Sequence, residues 1–109
     1  MSLRILGENK YDVVDLEDYG DVSVGSYVIL EGVVEDKPEI VNTPSRRPFR
    51  VQAVRYYVNT RFALADVNVR YEGAAFVRKG DKVVVWGRKE KDFLYAKQIE
   101  TDDIIIRLD

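Results

Sequence analysis

The sequence has no cysteine and no histidine, and only three prolines and one methionine among its 109 residues. Without cysteine the chain forms no disulfide. Because it also lacks histidine, it has neither of the side chains that most zinc and haem sites use. Catalysis by a histidine or cysteine side chain is excluded for the same reason. Gly-rich phosphate loops, dinucleotide-binding fingerprints and nucleophile elbows are also absent. We therefore expect a protein that is not an enzyme and that carries no cofactor or metal.

Long apolar runs are missing as well. No run approaches the roughly 18 residues of a membrane span, and the N-terminal MSLRILGENK lacks the apolar core of a signal peptide. We expect a cytoplasmic protein with no membrane span. A chain of 109 residues with 46% hydrophobic and 33% charged residues suits one domain over residues 1–109, with residues 1–11 as an additional strand or arm. The many charges and the scarcity of glutamine, cysteine and methionine are typical of a thermophile.

The net charge of −2 conceals a segregated distribution. Residues 1–43 contain three basic and ten acidic residues, residues 44–91 contain twelve and four, and residues 92–109 contain two and five. An acidic N-terminal stretch thus precedes a basic middle. A basic face attracts an anionic partner, whereas basic and acidic strands that are neighbours in space neutralise each other. The acidic cluster of residues 12–21 lacks the spacing of a calcium loop and is interpreted as a solvated turn.

β-Branched and aromatic residues dominate, and helical periodicity is almost absent, so strands are predicted. The predicted strands cover residues 27–34, 54–64, 67–72, 81–88 and 93–100. Residues 35–50 contain all three prolines and are interpreted as a long loop with a short strand at 39–41. Residues 104–106 either pair as a sixth strand or cap the end of the sheet. A bend is predicted at Gly32, a short helix at Ala74–Lys79, and buried positions for Tyr71, Phe76 and Trp86.

The segments VGSYVILEGVV, LADVNVRYEG, KGDKVVVWGR and FLYAKQIE resemble successive strands of an OB-fold domain of the tRNA-anticodon and replication-protein-A kind. The resemblance covers roughly residues 12–101. It implies an all-β fold: a five-stranded antiparallel OB-like barrel with one short helix between its third and fourth strands. Such domains bind oligonucleotides or oligosaccharides across the second and third strands and the flanking loops.

The alternation in residues 54–64 sends even-numbered residues from Val54 to Leu64 towards the core and odd-numbered residues outward. Cations and an aromatic ring then share one face, which is the combination that single-stranded nucleic acid needs. The two flanking loops add further cations. The predicted nucleic-acid-binding residues are Arg55, Tyr57, Asn59 and Arg61 on the second strand, Asn68 and Arg70 on the third, Arg46, Arg47 and Arg50 in the long loop, and Lys89, Lys91 and Tyr95 near the last hairpin.

Other interpretations of the same residues stay open. The arginines of the long loop are equally compatible with a solvated charge cluster, and a one-residue slip in register would bury Tyr57 and expose Tyr56. The exposed arginines of a protein-interaction barrel would meet an acidic protein surface, and the segregated charges would also support a homo-oligomer. The segments VRYEG and KGDKVVVWGR are similar as well to the OB-type haem chaperone of cytochrome c maturation. That family attaches haem through a histidine, which this sequence lacks.

Overall fold

The computed structural model describes residues 10–44 and 56–107, with the backbone alone described for residues 42–44 and 56–58. A 3₁₀ helix covers Leu16–Asp21. The strands are β1 Tyr11–Val14, β2 Tyr27–Val33, β3 Glu39–Pro44, β4 Tyr56–Leu64, β5 Val67–Tyr71, β6 Lys82–Lys89, β7 Leu94–Glu100 and β8 Ile105–Arg107. Each of the five predicted strands and the short strand predicted at 39–41 corresponds to one of these strands, and of the two alternatives for residues 104–106 the structure has the strand, β8. The eighth strand, β1, lies in the acidic stretch for which a solvated turn is predicted. Residues 1–9 of the predicted additional strand or arm lie outside the described residues.

The eight strands form one mixed sheet in the order β1-β2-β6-β7-β5-β4-β3, with β8 paired to β7. The pairs β1/β2 and β5/β7 are parallel and the others are antiparallel. The all-β class is confirmed, but the prediction of five antiparallel strands is wrong. Three further strands join because β1 and β3 extend the two ends of the sheet and β8 folds back onto β7. β5 and β7 are parallel neighbours, although β6 separates them along the chain, because β6 lies on the other side of β7 and runs antiparallel to it.

The sheet is not closed in the part of the chain that the structure describes. Its ends approach each other where β2 and β4 finish, through an isolated antiparallel bridge between Val34 and Leu64. Beside this bridge the backbone N–H of Glu35 donates to the carbonyl of Ala63 at 3.1 Å. This single bridge does not extend into a ladder between β2 and β4, since the residues of β2 pair with β6 on one side and with β1 on the other.

The hydrophobic core lies on the inner face of this curled sheet. In β5 every second residue is buried, as the half-buried strand pattern predicts. In β4 the even-numbered residues from Thr60 to Leu64 are buried while Arg61 is exposed, which confirms the predicted register over the described side chains. The largest fully buried apolar side chains include those of Leu30, Leu64, Leu94 and Ile99. The outer face is thereby left to polar and aromatic side chains.

Residues 74–79 do not form the predicted helix. Ala75 and Val77 are buried whereas Phe76 and Arg78 are exposed, so burial follows a period of two residues instead of 3.6. The buried hydroxyl of Thr60 holds this conformation: it donates to the carbonyl of Gly73 at 2.7 Å and accepts from the N–H of Ala75 at 2.9 Å. Tertiary hydrogen bonds therefore override the local helical tendency.

The same alternation corrects the prediction that Phe76 belongs to the core, because its side chain is 75% exposed. Tyr71 and Trp86 are buried as predicted. The β2–β6 register runs without interruption through Gly32, so no bulge forms at that glycine. A Cβ atom at Gly32 would lie 3.0 Å from Cδ1 of Leu16, and the missing side chain makes room for the 3₁₀ helix.

A bulge forms instead in the β6–β7 pair, between Trp86 and Gly87. Gly87 pairs with Ala96 and Trp86 pairs with Gln98, so Lys97 is the extra residue. A Cβ atom at Gly87 would collide with the backbone carbonyl oxygen of Tyr95, and only glycine fits there. Tyr95 and Lys97, which are two residues apart on β7, lie close together on the outer face.

Candidate nucleic-acid interface

One row of side chains crosses the outer face of the sheet from edge to edge. Directly paired residues of neighbouring strands project from the same face, and their Cβ atoms lie roughly 5 Å apart. The successive strand pairings therefore define a continuous row, which we name the transverse row: Glu39, Arg61, Arg70, Tyr95, Arg88, Tyr27 and Tyr11. Aromatic and cationic side chains make up all of the row except Glu39.

The second and third residues of the transverse row are a pair of arginines. Arg61 on β4 lies directly opposite Arg70 on β5, and both side chains are exposed. Neither guanidinium forms an ion pair with any of the residues that the structure describes. Like charges directly opposite each other destabilise a sheet, so the fold gains nothing from this pair. Two adjacent unpaired guanidinium groups are, however, suited to bind the oxygens of an anion.

The arginine pair lies in a shallow groove of about 330 Å³. Asn68, which lies two residues before Arg70 on the same exposed face of β5, also lines this groove, as do three carboxylates. The carboxylates belong to Asp36, Glu39 and Asp92. Charges of both signs are therefore interleaved around the groove, with its two positive charges adjacent to each other.

Aromatic rings lie next to the cations along the row. The Arg70 guanidinium carbon is 4.2 Å from the centroid of the Phe93 ring. The Tyr95 ring has Lys97 Nζ at 4.4 Å and the Arg88 guanidinium carbon at 5.8 Å from its centroid. These distances are those of cation–π contacts, which orient each cation against a ring. The face thus offers positive charge and flat apolar surface side by side.

Two groups of the row are tied to carboxylates. Arg88 Nε donates to Glu90 Oε2 at 2.6 Å, and hydrogen bonds to Glu90 and to Tyr27 raise the pKa of Arg88. Burial raises the pKa of Tyr95, and the Glu72 carboxylate raises it further. Tyr95 therefore stays a neutral phenol at physiological pH, and the charge of Arg88 is already compensated. The arginine pair carries the uncompensated charge of the row.

Lys89, predicted as a ligand-binding residue, has a different environment. Its ammonium group donates to the carbonyls of Tyr19 at 2.8 Å, Val22 at 2.7 Å and Gly20 at 3.3 Å. It also lies 4.6 Å from the centroid of the Tyr19 ring. These carbonyls end the 3₁₀ helix, whose last turn contains no basic residue of its own. The N–H donors of the Lys89 ammonium group are thus used to hold the 3₁₀ helix against the sheet, and they are the same donors that a phosphate would need.

The other predicted residues fall into three groups. Tyr57 pairs with Thr43 in the β3–β4 ladder, but its side chain is outside the described part. Asn59 is half-buried and engaged in an interaction, while Lys91 is exposed in the β6–β7 turn. The predicted contacts that lie outside the described residues are Arg46, Arg47, Arg50 and Arg55.

Sequence reasoning missed two members of this face, Arg88 and Lys97. The buried positions Val83 and Val85 set an alternation that puts Arg88 outward, and this signal was present in the sequence. Lys97 had the same kind of signal, because the apolar residues Leu94 and Ala96 set an alternation that puts Tyr95 and Lys97 together on the outer face.

No helix within residues 10–44 and 56–107 combines the length and hydropathy required to cross a bilayer. The same residues contain no cluster of three or more acidic side chains placed to hold a metal ion. Comparison of the chain with protein-family models, with curated proteins and with solved structures finds no match in any of the three.

Proposed function

We propose that this chain is a non-enzymatic, OB-like domain that binds single-stranded nucleic acid with low sequence specificity through the transverse row. The observation that carries the proposal is the unpaired arginine pair, Arg61 and Arg70, beside the rings of Phe93 and Tyr95. Guanidinium groups neutralise phosphates, and stacking of a base on a half-buried ring such as Phe93 or Tyr95 contributes about 1–3 kcal/mol.

The strand order supports the OB-like part of the proposal. Without β1, β3 and β8, five strands remain in the order β2-β6-β7-β5-β4, and the Val34–Leu64 bridge brings the two outer strands together. This arrangement resembles the partly open five-stranded barrel of OB-fold domains. The second and third of these five strands along the chain are β4 and β5, the strands that bear the arginine pair. In OB-fold domains those two strands form the binding face.

The interleaved carboxylates set the strength of binding. Asp36, Glu39 and Asp92 repel phosphates that approach the groove from the side, so only a backbone that passes over the arginine pair is attracted. Since few cations take part, we expect weak binding with a modest dependence on salt. A contact with three to four phosphates corresponds to a log–log slope of about −2 to −3 for a single strand.

The test is fluorescence anisotropy with labelled single-stranded DNA and RNA of mixed sequence at several salt concentrations. The variant is Arg61→Ala/Arg70→Ala, and the matched control is Lys37→Ala/Arg107→Ala, which removes two exposed positive charges outside the row. We expect the salt slope to fall by about 1.4 in the variant, the contribution of two phosphates, and to stay unchanged in the control. Equal effects in both would show non-specific attraction and overturn the proposed site.

A second candidate is a protein-interaction module. The observation in its favour is the same interleaving of arginines with Asp36, Glu39 and Asp92, since protein interfaces match charges of both signs. The anisotropy titration separates the two candidates. If the wild-type chain binds neither DNA nor RNA at low salt, the nucleic-acid proposal is wrong and the protein-interaction module replaces it.

A further inference from the structure

Phe76 is held outside the core although it is a large apolar residue. It lies between two buried neighbours, Ala75 and Val77, and its own side chain is 75% exposed. Hydrogen bonds from Thr60 to this segment fix the backbone, so Phe76 cannot turn inward without breaking them. A single exposed apolar side chain is ordinary, whereas exposed apolar side chains that lie together mark a contact surface for another molecule.

A groove of about 510 Å³ runs beside Phe76. One wall is the segment 76–82, which carries Phe76, two cations, Arg78 and Lys82, and one carboxylate, Asp81. The opposite wall is the turn 101–104, which carries Asp102, Asp103 and Ile104. We name these the basic wall and the acidic wall. Each wall also presents one exposed apolar side chain, Phe76 at 75% and Ile104 at 45% exposure.

The charges of the groove are poorly satisfied within the chain. Arg78 Nε is 3.9 Å from Asp81 Oδ2, and that carboxylate oxygen already accepts the Arg78 backbone N–H at 2.8 Å. Lys82 Nζ is 3.8 Å from Glu31 Oε2, with both side chains more than half exposed. Exposed pairs at such distances contribute little, about 0–1 kcal/mol. Asp102 and Asp103 form no ion pair with any residue that the structure describes.

We propose that a second copy of this chain docks on this groove, with a two-fold axis running along it. A rotation about such an axis places the basic wall of each copy over the acidic wall of the other, so both sets of charges find partners at once. The same rotation brings Phe76 of one copy against Ile104 of the other. Interfaces of two-fold dimers need this kind of self-complementary patch, and opposite charges across an interface fix its register.

The size of the patch sets the expected affinity. A standard interface buries about 800 Å² on each partner, and interfaces smaller than this belong to weak or transient complexes. One groove and its rim are smaller than that, so we expect a dissociation constant in the micromolar range. No residue of the transverse row lines this groove, so dimerisation leaves both arginine pairs accessible.

The test is sedimentation equilibrium of the full chain over a concentration series that spans the micromolar range. We expect a monomer–dimer equilibrium whose dissociation constant rises at least tenfold in Phe76→Ser. Val13→Ser is the matched control, because Val13 is an equally exposed apolar residue on β1, away from the groove, at 78% exposure. Circular dichroism and thermal melting verify that each variant is folded.

Charge reversal makes the test specific for this geometry. The variants Arg78→Glu/Lys82→Glu and Asp102→Lys/Asp103→Lys each place like charges across both contacts of a homodimer, so each alone should be monomeric. Mixed together, they have opposite charges at both contacts and should form a heterodimer. A wild-type chain that stays monomeric throughout the series would overturn the proposal. So would a dimer that both reversed variants retain, or reversed variants that fail to associate when mixed.

Discussion

Replacing Lys89 by methionine separates a structural from a ligand-binding role for this residue. The Lys89 ammonium donates hydrogen bonds to the carbonyls of Tyr19, Gly20 and Val22, at 2.8, 3.3 and 2.7 Å. Methionine keeps the apolar stem and removes the charge and all three donors. A hydrogen bond to a charged group contributes about 1.5–3 kcal/mol. Because Lys89 is half-buried and water can reach the freed carbonyls, we expect a total loss of about 2–3 kcal/mol of unfolding free energy.

Urea denaturation followed by Trp86 fluorescence measures this loss, with an unchanged m-value as the sign that the unfolded state is unaffected. Lys91→Met is the matched control, since Lys91 is an exposed lysine two residues away and should change stability by less than about 0.5 kcal/mol. The salt slope of nucleic-acid binding should stay the same in Lys89→Met. The reasoning is refuted if Lys89→Met keeps the wild-type stability, or if it reduces the salt slope while the protein stays folded.

Two further outcomes follow from buried groups. Thr60→Val removes the hydroxyl that bonds the carbonyl of Gly73 and the N–H of Ala75, and should lower the unfolding free energy by about 2–4 kcal/mol. Thr60→Ser keeps the hydroxyl and should retain most of the stability. A loss under about 1 kcal/mol for Thr60→Val in denaturant titration would contradict this. Burial and the nearby Glu90 raise the pKa of Tyr19 from 10.0 to about 12. The unfolded chain therefore releases this proton first, so stability from Tyr19 is complete below pH 10 and is lost as the pH rises towards 12. Tyr19→Phe should show a shallower alkaline loss of stability in denaturant titrations, and an equal decline in both proteins would refute the assignment.

The strands were predictable because each carries its own signal. Residues 67–71 and the described half of β4 alternate between buried and exposed side chains, and such a period of two residues is visible without any tertiary information. The same alternation predicted that Arg61 and Arg70 share the outer face. Their direct opposition follows from the two-residue turn at Ala65–Asp66, which fixes the register between β4 and β5.

The segment around Phe76 was not predictable in this way. A short apolar and basic stretch that ends at a glycine fits one helical turn as well as an extended chain. The choice was made by the hydroxyl of Thr60, which accepts a hydrogen bond from the N–H of Ala75, 15 residues away along the chain. Lys89 is a similar case, because its carbonyl partners lie 67–70 residues away.

The sequence by itself determined the all-β class, the positions of most strands and the faces on which their side chains lie, since these depend on contacts between near neighbours. Only the tertiary structure decided the order of the strands, the parallel β5–β7 pair, the bulge beside Gly87 and the exposure of Phe76. These features depend on hydrogen bonds and packing between residues far apart in the chain, and a local pattern contains no information about such partners. The arginine pair combines both sources: its residues are predictable, but only the folded sheet shows that neither guanidinium forms an ion pair with a described carboxylate, although Asp36, Glu39 and Asp92 line the same groove.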